Sequence, residues 1–401
     1  MVLKPVEDAV ARILEDVTPT AVERIGLLAA RERILAEAIT AKLTQSPFDS
    51  SAMDGYAVRA ADIAHVPVTL TVIGESQAGR RHTGTLAAGE AVRIFTGAPM
   101  PEGADTVVIQ ENTERTGDSV QVKEAPNPGA NVRLAGSDFR HGETLLQPGC
   151  RLDAAAILLA AAGGHAELPV RRKPRIAILA TGDELVEPGN TPGADQIVCS
   201  NPYGLAALIE RFGAEAHVLG IAADERAALS EKIETARGAD VLITIGGASV
   251  GDRDLVRPAL EAAGMTLDFW KVAIRPGKPM LFGRLQDMRV LGLPGNPISC
   301  IIAARVFLVP LILHLLGSTA PAEAVCAAQL AHELPANGPR QHYMLAQLES
   351  NGAGPPMAKT LRSQDSARIS GLVAADALIV RPPGAPPARL GDEVTVLPLD
   401  L

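Results

Sequence analysis

The chain has 401 residues, of which 47% are apolar, 21% charged and only 3% aromatic, with one Trp and a formal charge of −9. That length suits about two to four domains and a large core. The acidic balance and scarce aromatics argue against a base-stacking nucleic-acid surface, and an anionic ligand would need a local basic cluster or a metal. The four cysteines, Cys150, Cys199, Cys300 and Cys326, have no C-x-x-C spacing and no His at ligand distance. Reduced thiols in a cytoplasmic protein are expected. The start, Met1-Val2-Leu3-Lys4-Pro5, lacks the apolar run of an export signal.

Residues 6–39 carry helical patterning, broken at Thr18-Pro19-Thr20. Thr20 with Glu23 reads as a capping box opening a second helix. Between 56 and 146 the texture becomes short β-prone runs (68–73, 92–95, 106–109) separated by Gly, Pro, Asn and Asp, so a β-rich unit is expected. Residues 154–162 form a short helix closed by Gly163-Gly164. Arg171-Arg172-Lys173-Pro174 marks a boundary. Beyond it strands at 176–180, 216–221, 241–245 and 290–293 alternate with helices at 202–212, 224–237 and 255–263. Asp224 stands at an N-cap position. This alternation predicts a parallel, doubly wound α/β sheet with ligands at the carboxyl ends of its strands. Residues 298–316 are apolar but interrupted by Arg305, Pro310 and His314, which favours a buried helix over a membrane span. From Pro321 onward, strands at 343–348, 377–380 and 393–397 suggest a small β-barrel.

Candidate chemistry lies in the turns. Ser50-Ser51-Ala52-Met53-Asp54-Gly55-Tyr56-Ala57-Val58 reads as a tight turn presenting Asp54 and leading into a strand. Thr181-Gly182-Asp183-Glu184 follows the first α/β strand, where acids either ligate Mg²⁺, bond a ribose or pterin ring, or simply face solvent. Gly246-Gly247-Ala248-Ser249-Val250-Gly251-Asp252-Arg253-Asp254 ends the third strand. Its glycines allow close backbone approach and an amide nest for an anion, yet it is neither a Walker loop nor G-x-G-x-x-G. Lys271, Arg275 and Lys278 are three cations on one short stretch. In extended chain Lys271 and Arg275 share a face, and Pro276-Gly277 turns Lys278 back, which makes an oxyanion cradle; a solvated basic hairpin is the plainer alternative. Pro294-Gly295-Asn296-Pro297 enters the apolar helix with Asn296 as N-cap and Pro297 at the first helical position.

Taken in order, Ser-Ala-Met-Asp54-Gly-Tyr-Ala-Val, Phe95-Thr96-Gly97-Ala98-Pro99, Thr181-Gly182-Asp183-Glu184, Ser200-Asn201, the Gly-Gly-x-Ser-Val-Gly loop, Pro276-Gly277-Lys278-Pro279 and Leu293-Pro294-Gly295-Asn296-Pro297 resemble the MoeA family and the E domain of gephyrin over nearly the whole chain. The resemblance implies a multidomain subunit. An N-terminal region (1–171, with a β-rich insert near 56–146) precedes a molybdopterin-binding α/β domain (172–318) and a C-terminal β-barrel (319–401). It implies homodimers whose sites are shared, with Asp54 and Thr96 reaching the partner's α/β cleft. It further implies insertion of molybdate into adenylylated molybdopterin with release of AMP. Lys271, Arg275 and Lys278 would hold oxyanions, and Glu184, Asp224, Asp254 and Asp54 would bind Mg²⁺ or move protons. Arg340 and Ser366 align with cleft residues of the family. Thr181, Gly182, Asp183, Ser200, Asn201, Gly246, Gly247, Ser249 and Gly251, with the Pro294–Pro297 turn, would contact substrate.

Two departures stand out: Arg275 occupies a position where relatives often carry Lys, and Asp252 competes with Asp254 for the metal role. Alternatives are a stand-alone molybdopterin adenylyltransferase of the MogA type, against which the extra domains argue, and a gephyrin-like scaffold. Other proteins of the same pathway are possible partners; no nucleic acid and no membrane is expected.

Overall fold

The computed structural model describes residues 3–246, 255–320, 325–352 and 354–400. Helix α1 (Val6–Leu14) buries Val6, Ala9 and Ile13 at helical spacing. The second helix expected near Thr20 does not form. Val22–Gly26 is instead a strand, β1, paired antiparallel with Glu167–Arg171. The Thr20 hydroxyl donates to the Arg172 carbonyl at 2.6 Å, and Glu23 pairs with Arg33. A partner about 145 residues away therefore overrides local helix preference, as cross-strand pairing can.

The β-rich unit contains β2 (Gly55–Val58), β3 (Val68–Ser76), β4 (Glu90–Ile94), β5 (Thr106–Ile109), β6 (Thr113–Thr116) and β7 (Ser119–Val122). They form one sheet in the order β5-β2-β4-β3-β7-β6, and Tyr56, Val58, Ile63, Leu70, Val108 and Val120 pack in its core. Gly55 is obligatory for packing: a Cβ there would lie 1.9 Å from the Val108 carbonyl oxygen. Helix α2 (Ala154–Ala162) starts at Asp153, whose carboxylate accepts from the Ala156 amide, and ends at Gly163. It leads to β8 (Glu167–Arg171).

The α/β unit follows: β9 (Arg175–Thr181), α3 (Asn201–Arg211), β10 (Glu215–Ala222), α4 (Arg226–Thr235), β11 (Val241–Ile245), α5 (Val256–Ala262), β12 (Thr266–Trp270), β13 (Ile274–Arg275), β14 (Leu281–Leu285) and β15 (Met288–Leu293). The sheet order is β10-β9-β11-β15-β14-β12. Its first four strands are parallel, and β14 and β12 add an antiparallel edge that the sequence pattern does not announce. The apolar stretch is helix α6 (Pro297–Leu315), 89% buried inside the protein, with a π turn over Ala304–Leu308.

After it come β16 (Cys326–Leu330), β17 (Gln341–Glu349), β18 (Met357–Thr360), α7 (Ser370–Ala374), β19 (Ala377–Arg381) and β20 (Glu393–Pro398). The five strands close in the order β17-β18-β16-β20-β19, with β19 returning to β17, so the barrel leaves no open edge there. Strand β13 of the α/β unit adds in parallel to β17, Arg275 opposite His342. One core joins the two units, with Ile178, Ile243, Leu291, Phe307, Tyr343, Leu345 and Leu397 in the same cluster. The buried Arg305 of α6 donates to the Pro398 carbonyl at 3.0 Å and helps fasten this joint.

Candidate functional site

The strand ends of β9, β11 and β15, the start of α3 and the start of α6 open onto one cleft, and the barrel supplies its opposite wall. Its volume is about 970 Å³. Parallel strands with crossover helices place ligands at such carboxyl ends.

Most of the expected residues converge there. Thr181, Glu184, Ser200, Asn201, Gly246, Arg275, Lys278, Pro294, Gly295, Asn296, Pro297, Arg340 and Ser366 all line the cleft. Gly246 has φ +89°, and a Cβ would lie 2.9 Å from the Thr181 carbonyl oxygen, so glycine lets the ends of β9 and β11 meet. Asn201 donates to the Gly295 carbonyl at 2.6 Å, tying the two helix starts together. Pro297 opens α6 as expected, but the Asn296 side chain does not cap it. It donates instead to the Ser366 hydroxyl at 3.1 Å, while the Ile298 amide bonds the Ser366 carbonyl at 3.1 Å. The barrel segment is thus latched onto the first turn of α6.

Other expected residues stand outside the lining. Gly182 has φ +146° and holds the turn in which Asp183 accepts from the Asp224 amide at 3.0 Å. Asp224 is not the helix cap: Glu225 takes that position, also without a capping side chain. The Asp224 carboxyl is pushed up from the usual carboxylate range, first by partial loss of solvent and then by the charges of Asp183 and Glu184. Lys271 does not share an extended face with Arg275. Its φ is +74°, which breaks the alternation, and its ammonium sits 4.2 Å from the Trp270 ring centroid. Gly247, Ser249, Gly251, Asp252 and Asp254 lie outside the described residues.

Asp54 and Thr96 meet each other away from the cleft of their own chain. The Thr96 amide and hydroxyl donate to one Asp54 oxygen at 2.7 and 2.8 Å. Those two bonds, led by the amide and helped by Arg93, hold the Asp54 carboxyl below its ordinary range. The pair presents a fixed carboxylate beside the exposed Met53.

Sequence reasoning overlooked Cys199, His342, Tyr343 and Gln364, which also line the cleft. Burial, then Glu187 and Glu184, push the Cys199 thiol up to about 11, so it stays protonated near neutral pH.

Among the described residues no three His, Cys, Asp or Glu side chains gather as metal ligands. Asp183, Glu184 and Asp224 nevertheless concentrate negative charge, the first two acting on the carboxyl of the third. Such a set fits Mg²⁺, which takes one or two carboxylates and fills its shell with water and phosphate oxygens.

Fold and cleft together define an α/β unit whose strand-end cleft is walled by a β-barrel and lined by Arg275, Lys278 and Arg340. Three family profiles match in order: MoeA N-terminal region (domain I and II) over residues 4–164, probable molybdopterin binding domain over 177–314, and MoeA C-terminal region (domain IV) over 327–399. A molybdopterin molybdenumtransferase of a Nostoc species is 39% identical, covering 94% of this chain and 89% of its own length. The one from Bacillus subtilis is 35% identical, covering 98% and 93%. A crystal structure of the molybdopterin biosynthesis MoeA protein from Pyrococcus horikoshii superposes with a TM-score of 0.85 at 32% identity, covering 99% of each chain. The chain belongs to the MoeA family of molybdopterin molybdenumtransferases.

Proposed function

We propose that this enzyme inserts molybdate into adenylylated molybdopterin and releases AMP, the last step in forming the molybdenum cofactor. The observation that carries the reading is the cleft itself. An acidic protein gathers Arg275, Lys278 and Arg340 on one wall, and Glu184 stands with the turn and helix starts of the α/β sheet on the other. The cationic wall suits phosphate and molybdate oxygens, whose mutual repulsion must be offset before they can react. Arg275 keeps the charge that relatives often provide with Lys, and adds a fork that binds two oxygens at once.

Glu184 and Asp224, with Asp254 from outside the described residues, would hold Mg²⁺. Bound there, the ion would neutralise charge on the substrate's phosphates. The chain's own groups orient the substrate: Asn201 and Asn296 fix the two helix starts, and Ser366 latches the barrel wall over them.

The active form is a cytoplasmic homodimer in which Asp54 and Thr96 complete the partner's cleft. The support for this is that the pair is rigidly built, solvent-facing and absent from the lining of its own chain's cleft. Purified chain given adenylylated molybdopterin and Mg²⁺ should release AMP only when molybdate is added. Consumption of ATP with free molybdopterin, without such release, would replace this reading by adenylyl transfer.

A further inference from the structure

Among the cations that the family reading assigns to the barrel wall of the cleft stands an imidazole to which that reading gives no purpose. Arg275 on β13 lies opposite His342 on β17, and His342 lies opposite Arg381 on β19. Residues directly opposed across a ladder share a face, and Arg340, in the bend just before β17, lines the same cleft and adds its charge to the field at His342. Three guanidinium groups therefore surround one imidazole. His342 is only 8% exposed, yet it lines the cleft.

The cations differ in what occupies them. Arg381 is committed to the Pro335 and Pro386 carbonyls, and Arg340 donates to the Ile274 carbonyl at 3.3 Å. Arg275 is exposed and has no partner among the described residues. Lys278 lines the same cleft, and Glu184 lines it from the α/β side. Burial, then Arg275, Arg340 and Arg381, push the His342 imidazole down to about 4, so it is neutral at working pH. Among the described residues the charges named at His342 are all guanidinium groups.

We propose, on the basis of the reaction assigned above, that His342 is a further binding residue of the oxyanion subsite formed with Arg275 and Arg340, and that it takes up a proton when a tetrahedral dianion fills that subsite. The physical cause is linkage. An entering dianion offsets the field of the guanidinium groups and its own charge favours the imidazolium against the burial that is the larger cause of the depression, so the imidazole moves back toward its ordinary basicity. The proton then makes His342 a further donor to the dianion, from a wall that carried one fewer charge before binding. The ligand class is a tetrahedral oxyanion, either the phosphate of the substrate or molybdate.

Inorganic sulfate is the probe, because it does not titrate between pH 5 and pH 7. Binding to the full-length protein is followed by calorimetry in two buffers of different ionisation heat. If His342 returns to its ordinary pKa in the complex, sulfate affinity should rise about 20-fold from pH 7 to pH 5, with proton uptake. In His342→Gln both the uptake and the pH dependence should vanish. Identical uptake in that variant would overturn the proposal. So would a wild-type His342 proton resonance, followed by NMR, that titrates at the same pH with and without sulfate, and this arm does not depend on any variant folding. Displacement of bound sulfate by AMP would place the nucleotide phosphate in the subsite, and displacement by molybdate alone would place the metal oxyanion there; displacement by neither sinks its role in the reaction. Sulfate binding with proton uptake but no molybdate-dependent AMP release would keep the subsite and reject the function.

Discussion

Gly55→Ala tests whether the turn that presents Asp54 is held by backbone contact. The added Cβ would sit 1.9 Å from the Val108 carbonyl oxygen, where contacts of this kind do not fall below 3.0 Å. Strands β2 and β5 must therefore part by about 1.1 Å at this point. Neither side can yield alone, because the opposing atom is backbone and β2 is also paired with β4. A hydrogen bond lengthened that much is lost. The pairings of Gly55 with Ile109 and Tyr56 with Val108, and the Gln110 amide's bond to the Asp54 carbonyl, are all at risk. At about 1 kcal/mol each, with the strain of overpacking, the loss should be about 2–4 kcal/mol. Urea unfolding followed by circular dichroism should show a lower midpoint, and AMP release should fall because Asp54 rides on the same turn. A variant with wild-type midpoint and turnover would refute the reasoning.

Acid should weaken the fold through His342. The unfolded imidazole binds a proton near pH 6.5 and the folded one only near pH 4. Stability is therefore unaffected above pH 6.5, falls between pH 6.5 and pH 4 by about 3 kcal/mol, and levels below. Denaturant titrations of His342→Gln should lack that component, and an unchanged acid profile would contradict it. Arg305→Ala should cost about 3 kcal/mol by leaving the Pro398 carbonyl unpaired and a hole beside Phe212, with Arg305→Met closer to wild type in the same unfolding assay. Equal midpoints for the alanine variant and wild type would remove Arg305 from the joint. Asp224→Asn should raise the Mg²⁺ needed for half-maximal AMP release about tenfold, whereas chelation should stop release in both proteins. An unaltered Mg²⁺ dependence would take Asp224 out of the metal set.

The parts of the fold that were legible in sequence are those decided locally. Helix α2 announces itself by an alanine-rich run between Asp153 and Gly163, and β11 by the run Val241-Leu242-Ile243-Thr244-Ile245, four apolar residues of five with four of them β-branched. Strand β1 was illegible because what stabilises Val22–Gly26 is Glu167–Arg171, far along the chain. The antiparallel edge formed by β12 and β14 was missed for a similar reason: Thr266–Trp270 alternates polar and apolar over only four residues, and its partner lies beyond the cationic turn.

At the site, motif residues on strand ends and helix starts were readable, since glycine and proline spacing fixes such turns. Lys271 was misplaced because a left-handed residue interrupts the alternation from which its direction was inferred. His342 and Gln364 were invisible because they join the cleft only through closure of the barrel and its packing on α6.

The most direct test of the central claim mixes two inactive chains, Asp54→Asn and Lys278→Ala, and reads molybdate-dependent AMP release. If each cleft draws its cations from one chain and its Asp54 from the other, half the dimers formed at equal mixing contain one intact site, and activity should return to about a quarter of wild type. Mixtures that exchange subunits yet stay inactive would contradict the account.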